Sequence, residues 1–213
     1  MKKFRIICLC GLFLFASSWC YAADYSNLGL GGTYNQGLGW TIGNPTLQPG
    51  DPIDTQGDEF SPTTTATLSD IEIALSYVQG TGSSYVTLYT DNGSNLPDSA
   101  LEAWIITNST LLPVFGASNS ALYTLTSVVH PTLTAGTEYW LIASADSTVW
   151  DAWNLTLPKV YSNHYNGGNI FSGLDYPMGA FEINGATGVA EPTTTLLLGL
   201  GLVGLAGVRR KFK

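Results

Sequence analysis

Between two apolar terminal runs, the chain consists of short segments in which apolar and polar positions alternate with a period of two. Ile71, Ile73, Leu75 and Tyr77 alternate with Glu72, Ala74 and Ser76, as on one strand with an apolar and a more polar face. Val86 and Leu88 alternate in the same way with Tyr85, Thr87 and Tyr89. Segments 100–107, 123–129, 138–143 and 148–154 have the same texture. Asp91-Asn92-Gly93-Ser94 is a strong turn signal between two of these segments, and Ala135-Gly136-Thr137 a weaker one. Outside the terminal runs no window sustains a helical period. Short strands punctuated by Gly and Pro predict an all-β domain of β-sandwich or jelly-roll type.

The terminal runs have a different grammar. Lys2, Lys3 and Arg5 precede the apolar segment 6–18, and Cys20-Tyr21-Ala22 follows with small residues where a signal peptidase reads them. That order is an export signal, with cleavage expected after Ala22 or Ala23. An uncleaved anchor is the other reading, but the run falls short of the roughly 20 residues a span requires. Trp19 ahead of Cys20 disfavours lipoprotein processing. At the far end, Glu191-Pro192 leads into the apolar run 193–208 and then Arg209-Arg210-Lys211-Phe212-Lys213. As a helix this run would reach about 24 Å, less than the ~30 Å of a hydrocarbon core. Arg209, Arg210 and Lys211 would stay on the cytoplasmic side, leaving the domain outside. Gly199, Gly201, Gly204 and Gly207 permit close approach of a second helix or of a processing enzyme. The chain thus divides into a signal peptide (1–23), an extracellular β-domain (24–188) and a C-terminal tail (189–213).

Charge sharpens this division. Of the 8 Lys and Arg, Lys159 alone lies between the terminal segments. Residues 24–190 carry 15 acidic side chains against that one lysine, a formal charge of −14. Such a surface repels phosphate backbones and anionic lipid, which excludes nucleic-acid binding, and it leaves divalent cations as partners. All 3 cysteines (Cys8, Cys10, Cys20) fall in the predicted signal. The mature protein would therefore lack thiol catalysis, Cys-ligated zinc and disulfides, and depend on its core for stability.

The C-terminal order, Val189-Ala190-Glu191-Pro192 followed by TTTLLLGLGLVGLAGV and RRK, resembles the PEP-CTERM sorting signal. Ala190 stands where the first proline of that motif would be. The resemblance implies recognition by an exosortase, a membrane enzyme of Gram-negative bacteria, with cleavage near the motif. It also implies passage from the inner membrane to the cell surface or extracellular matrix, and a link to exopolysaccharide and biofilm. An anchor that is never cut is the alternative. The stretch 60–154, with ATLSDIEIAL, VTLYTDNG, LTAGTEYWLIAS and WDAWN, is similar to the choice-of-anchor extracellular domains. That likeness implies a surface-displayed β-sandwich and brings no catalytic residues with it.

Three kinds of chemistry are conceivable in the domain. Strict alternation puts Trp104 on a face with Glu102, Trp140 with Glu138, and Trp153 with Asp151. An exposed indole beside a carboxylate suits a sugar ring, whereas the same Trp residues could simply fill the space between sheets. Asp91, Asn92 and Asn95 offer oxygen ligands in one turn, and Asp51, Asp54, Asp58 and Glu59 cluster in another segment. Both are candidates for structural calcium, although neither matches an EF-hand loop. No other cofactor is expected. For catalysis, His130 and His164 are the only histidines, and no Gly-x-Ser-x-Gly elbow or His-Glu-x-x-His motif accompanies them. The sequence therefore predicts a non-catalytic exported protein, with a glycan-binding module as the alternative and a glycan hydrolase as a weaker third.

Overall fold

The computed structural model describes residues 23–48, 50–118, 121–172 and 176–186. The export signal up to residue 22, Val189 to Pro192, the tail helix and the basic end lie outside them. In chain order the first strands are β1 (Ala23–Ser26), β2 (Tyr34–Gly43), β3 (Gln56–Phe60), β4 (Ala66–Ile73) and β5 (Leu75–Gly80). Next come β6 (Ser84–Asp91), β7 (Pro97–Ile106), β8 (Tyr123–Thr126), β9 (Thr132–Leu133) and β10 (Tyr139–Ala145). The chain continues with β11 (Val149–Thr156), β12 (His164–Asn166), β13 (Asn169–Phe171) and β14 (Phe181–Ala186). A short 3-10 helix, Ser109–Leu111, is capped by the Asn108 side chain.

These strands form three antiparallel sheets. One runs β1-β14-β4-β8, with β9 also on β4. The second runs β13-β12-β3-β10-β6-β7, and the third β2-β11-β5. All three feed one core. Leu68, Ile71, Ile73, Phe181 and Ile183 come from the first sheet, Phe60, Val86, Leu88, Tyr139 and Leu141 from the second, and Ile42, Leu75 and Trp153 from the third. The alternation read from the sequence is visible in β6, where Val86 and Leu88 are buried and their neighbours half-buried. The all-β expectation holds.

Two expectations about strands need correction. The single strand read across residues 71–77 is two strands, one in the first sheet and one in the third. Ala74 is the corner: its N–H donates to the Ala180 carbonyl at 3.0 Å, and its carbonyl accepts from Asn154 N at 2.8 Å. Alternation runs through this corner unbroken, so periodicity alone could not reveal it. The strand read across 123–129 ends at Thr126. Beyond it, the buried Glu102 carboxylate gathers the Ser127 hydroxyl and the backbone N–H groups of Val128 and Val129, and pairing with β4 resumes at Thr132.

The two ends of the described chain are neighbours. β1 lies antiparallel to β14, with Ala23 opposite Asn184 and Ser26 opposite Glu182. The start of β1 and the end of β14 therefore share one end of the sheet. Tyr25 stacks on Phe181 with ring centroids 5.2 Å apart. Just past β1, the buried Asn27 side chain donates to the Gly179 carbonyl and accepts from Phe181 N, so it continues the ladder where the strand itself stops.

Candidate functional site

The three tryptophans expected to offer sugar-stacking faces do not do so equally. Trp140 and Trp153 are both 0% exposed, which corrects the expectation of open indole faces at these positions. Trp153 belongs to the core, where its Nε1 donates to the Ala180 carbonyl. Gly179 lies flat against its ring, so a Cβ at that position would fall 2.3 Å from the indole. Trp104 keeps some exposure, but it packs against the core and donates Nε1 to the Thr126 carbonyl at 2.8 Å.

The histidines also have structural roles. His130 is exposed in the loop after β8, at φ 53°, with Nδ1 3.0 Å from the Leu68 carbonyl. His164 belongs to β12 and is buried. Its Nδ1 lies 2.9 Å from Asp58 Oδ1 and its Nε2 lies 2.9 Å from Gln56 Oε1. Trp40 stacks on the ring with centroids 4.6 Å apart. Asp58 Oδ2 accepts from Gly179 N at 2.7 Å. Burial holds the Asp58 carboxyl above the ordinary range, and the bond and charge of His164 only partly offset this. Both imidazole nitrogens are engaged within the protein.

The acidic segments separate according to strand parity. Asp58 faces the core with Leu141 and Leu88, while Glu59, opposite Trp140, faces the other way. Trp140 in turn lies opposite Tyr89, so two residues on, Asp91 shares the outer face. Glu138, two residues before Trp140, shares it as well. β3, β6 and the segment leading into β10 thereby bring Glu59, Asp91 and Glu138 together, with one carboxylate oxygen from each lying within 4.8 Å of the others. Among the described residues no other group of three potential metal ligands converges in this way.

Neighbouring donors position these carboxylates. Trp140 Nε1 donates to Asp91 Oδ2 at 2.8 Å, and Gly93 N donates to the other Asp91 oxygen. Asn163 Nδ2 donates to Glu59 Oε2 at 2.6 Å, whereas the buried Glu59 Oε1 has no hydrogen-bond partner. Burial, reinforced by the charges of Glu138 and Asp91, holds the Glu59 carboxyl above the ordinary range. The loop trio expected from the sequence does not assemble. Asn92 Oδ1 accepts from Ser94 N inside the turn, and Asn95 sits exposed at φ 57°. Of that trio only Asp91 joins the cluster. Glu59 and Glu138 come from segments 32 residues before and 47 residues after it, which only strand register brings together.

Residues 189–211 match the PEP-CTERM protein-sorting motif. The motif implies an exported protein that an exosortase processes and that is associated with the membrane or surface. No curated protein and no solved structure matches the chain. The described residues thus form an all-β fold, and the matched sorting motif begins three residues beyond its last strand.

Proposed function

We propose that this chain is a non-catalytic surface or extracellular-matrix protein, delivered by exosortase processing and associated with exopolysaccharide. The observation that carries the reading is the sorting motif at residues 189–211, beginning just past β14, which ends at Ala186. Glu191-Pro192 is the recognition element, the run 193–208 holds the substrate in the membrane, and Arg209-Arg210 fixes its orientation. An N-terminal signal peptide, removed after Ala22 or Ala23, starts export. The intervening domain is read as a β-sandwich of the choice-of-anchor kind. Its two larger sheets meeting over one core support that reading. A non-catalytic role is favoured because His164 has both nitrogens bonded inside the fold, and Trp140 and Trp153 lack open faces.

The test is the intact mass of the protein from its native host, with and without the exosortase. Loss of everything beyond the Glu191-Pro192 region only when the enzyme is present is the expected result. A mass retaining residues 193–213 in both strains would make the tail a plain anchor and remove the link to the matrix.

A further inference from the structure

We propose that Glu59, Asp91 and Glu138 bind one divalent cation, and that the donor chemistry assigns calcium. Two independent observations carry the proposal. First, three carboxylates from β3, β6 and the segment leading into β10 converge to within 4.8 Å with no basic partner. Among the described residues the sole ion pair joins His164 to Asp58, so no lysine or arginine neutralises the cluster. Second, Glu59 is only 8% exposed, yet its Oε1 is buried without a hydrogen-bond partner. A buried carboxylate oxygen left unbonded is costly, and the Glu59 carboxylate converges with two more acids rather than with donors. A cation among the three would satisfy that oxygen and neutralise the crowding in a single step.

The donors are all oxygen, with no imidazole or thiolate, which selects a hard cation over zinc or copper. Calcium tolerates irregular sets of carboxylates better than magnesium, which demands near-octahedral geometry. The hydrogen bonds already made to Asp91 leave each oxygen a second lone pair for coordination. Burial grades outward from Glu59 through the half-buried Asp91 to the exposed Glu138, which gives an ion a route in from solvent. Bound there, the ion would tie the end of β3 and the β6–β7 turn to the segment leading into β10.

Trp140 provides the readout, because its Nε1 lies 2.8 Å from an Asp91 oxygen. The full-length chain in detergent would be titrated with terbium, exciting tryptophan and recording lanthanide luminescence, and then with calcium as competitor. Saturable luminescence displaced by calcium is expected, together with a calcium-dependent rise in Tm. Glu59→Gln and Glu138→Gln should each weaken calcium binding at least about tenfold, with dissociation constants starting in the roughly 0.1–1 mM range of extracellular sites. Glu182→Gln, on another sheet, should leave the affinity unchanged. Glu138→Gln, at an exposed position, keeps the test decisive if Glu59→Gln fails to fold. Calcium that neither displaces terbium nor raises Tm up to about 10 mM would overturn the site. Equal affinity in wild type, Glu138→Gln and Glu182→Gln would overturn it as well, since that pattern means diffuse attraction to an acidic surface.

Discussion

Asp151 shows what an all-β core costs when it closes over a carboxylate. The side chain is fully buried in β11, where Oδ2 accepts from the Ser84 hydroxyl at 2.5 Å and Oδ1 has no partner. Burial pushes its pKa up to about 6 from the ordinary 3.8, more than the bonds from Ser84 and the Val78 backbone lower it. Because the folded value lies above the unfolded one, folding favours the protonated form. The stability this group contributes is fully present below about pH 4 and is lost as pH rises through about 6. Asp54 and Glu72, also raised by burial, act in the same direction. Urea denaturation of wild type at a series of pH values should therefore show stability falling between about pH 4 and 7. In Asp151→Asn that slope should be shallower, though not flat, since the other two acids remain. Equal slopes in the two proteins would mean that Asp151 is not strained by its burial.

At the scale of elements, the outer face of the first sheet brings like charges together. Glu182 on β14 lies directly opposite Glu72 on β4, with Asp70 two residues away on the same strand. Desolvation, then the Glu182 and Asp70 charges, hold the Glu72 carboxyl above its usual range. Opposed like charges on paired strands are destabilising, and opposite charges there are worth a few tenths of a kcal/mol or more. Glu182→Lys should therefore stabilise the fold by about 0.5 kcal/mol at low salt, with the gain shrinking as salt screens it. Denaturation midpoints at low and high ionic strength would show this, and a salt-independent effect of either sign would contradict it. The same elements show what was legible in the sequence. β4 and β6 were readable because Ile71, Ile73, Val86 and Leu88 alternate with more polar residues, and β10 because Tyr-Trp-Leu-Ile is a short apolar run of aromatic and branched residues. β3 was not, because Gln-Gly-Asp-Glu-Phe is buried on both faces and carries no apolar period. The burial of Trp140 was hidden for a related reason: it lies on the outer face by parity and is nevertheless covered. Glu59, Asp91 and Glu138 could be listed from sequence as acids, but their convergence depends on the register of three strands, which no local pattern encodes.

For the whole molecule, the decisive feature is where the two ends leave the fold. The start of β1 and the end of β14 share one end of the first sheet, so the signal and the tail both connect there. On the proposed route, both membrane-linked segments would hold the domain from the same side during export. The intervening residues 187–192, even fully extended, would span no more than about 25 Å between the last strand and the apolar run. Among the described residues, the last strand closes the first sheet before the motif begins. β14 ends at Ala186, its Phe181 and Ile183 are in the core, and Tyr25 of β1 stacks on Phe181. Cleavage near Glu191-Pro192 should therefore remove no core contact, and the domain should be as stable after sorting as before it. Protein purified from the native host and unprocessed protein from a strain without exosortase, measured in the same detergent, should show the same Tm to within about 2 °C. A truncation ending before Phe181 should unfold, because it deletes the strand between β1 and β4. If trimming at the motif alone lowered Tm by several degrees, the tail would be part of the domain's packing, and the view of it as a detachable address would have to be abandoned.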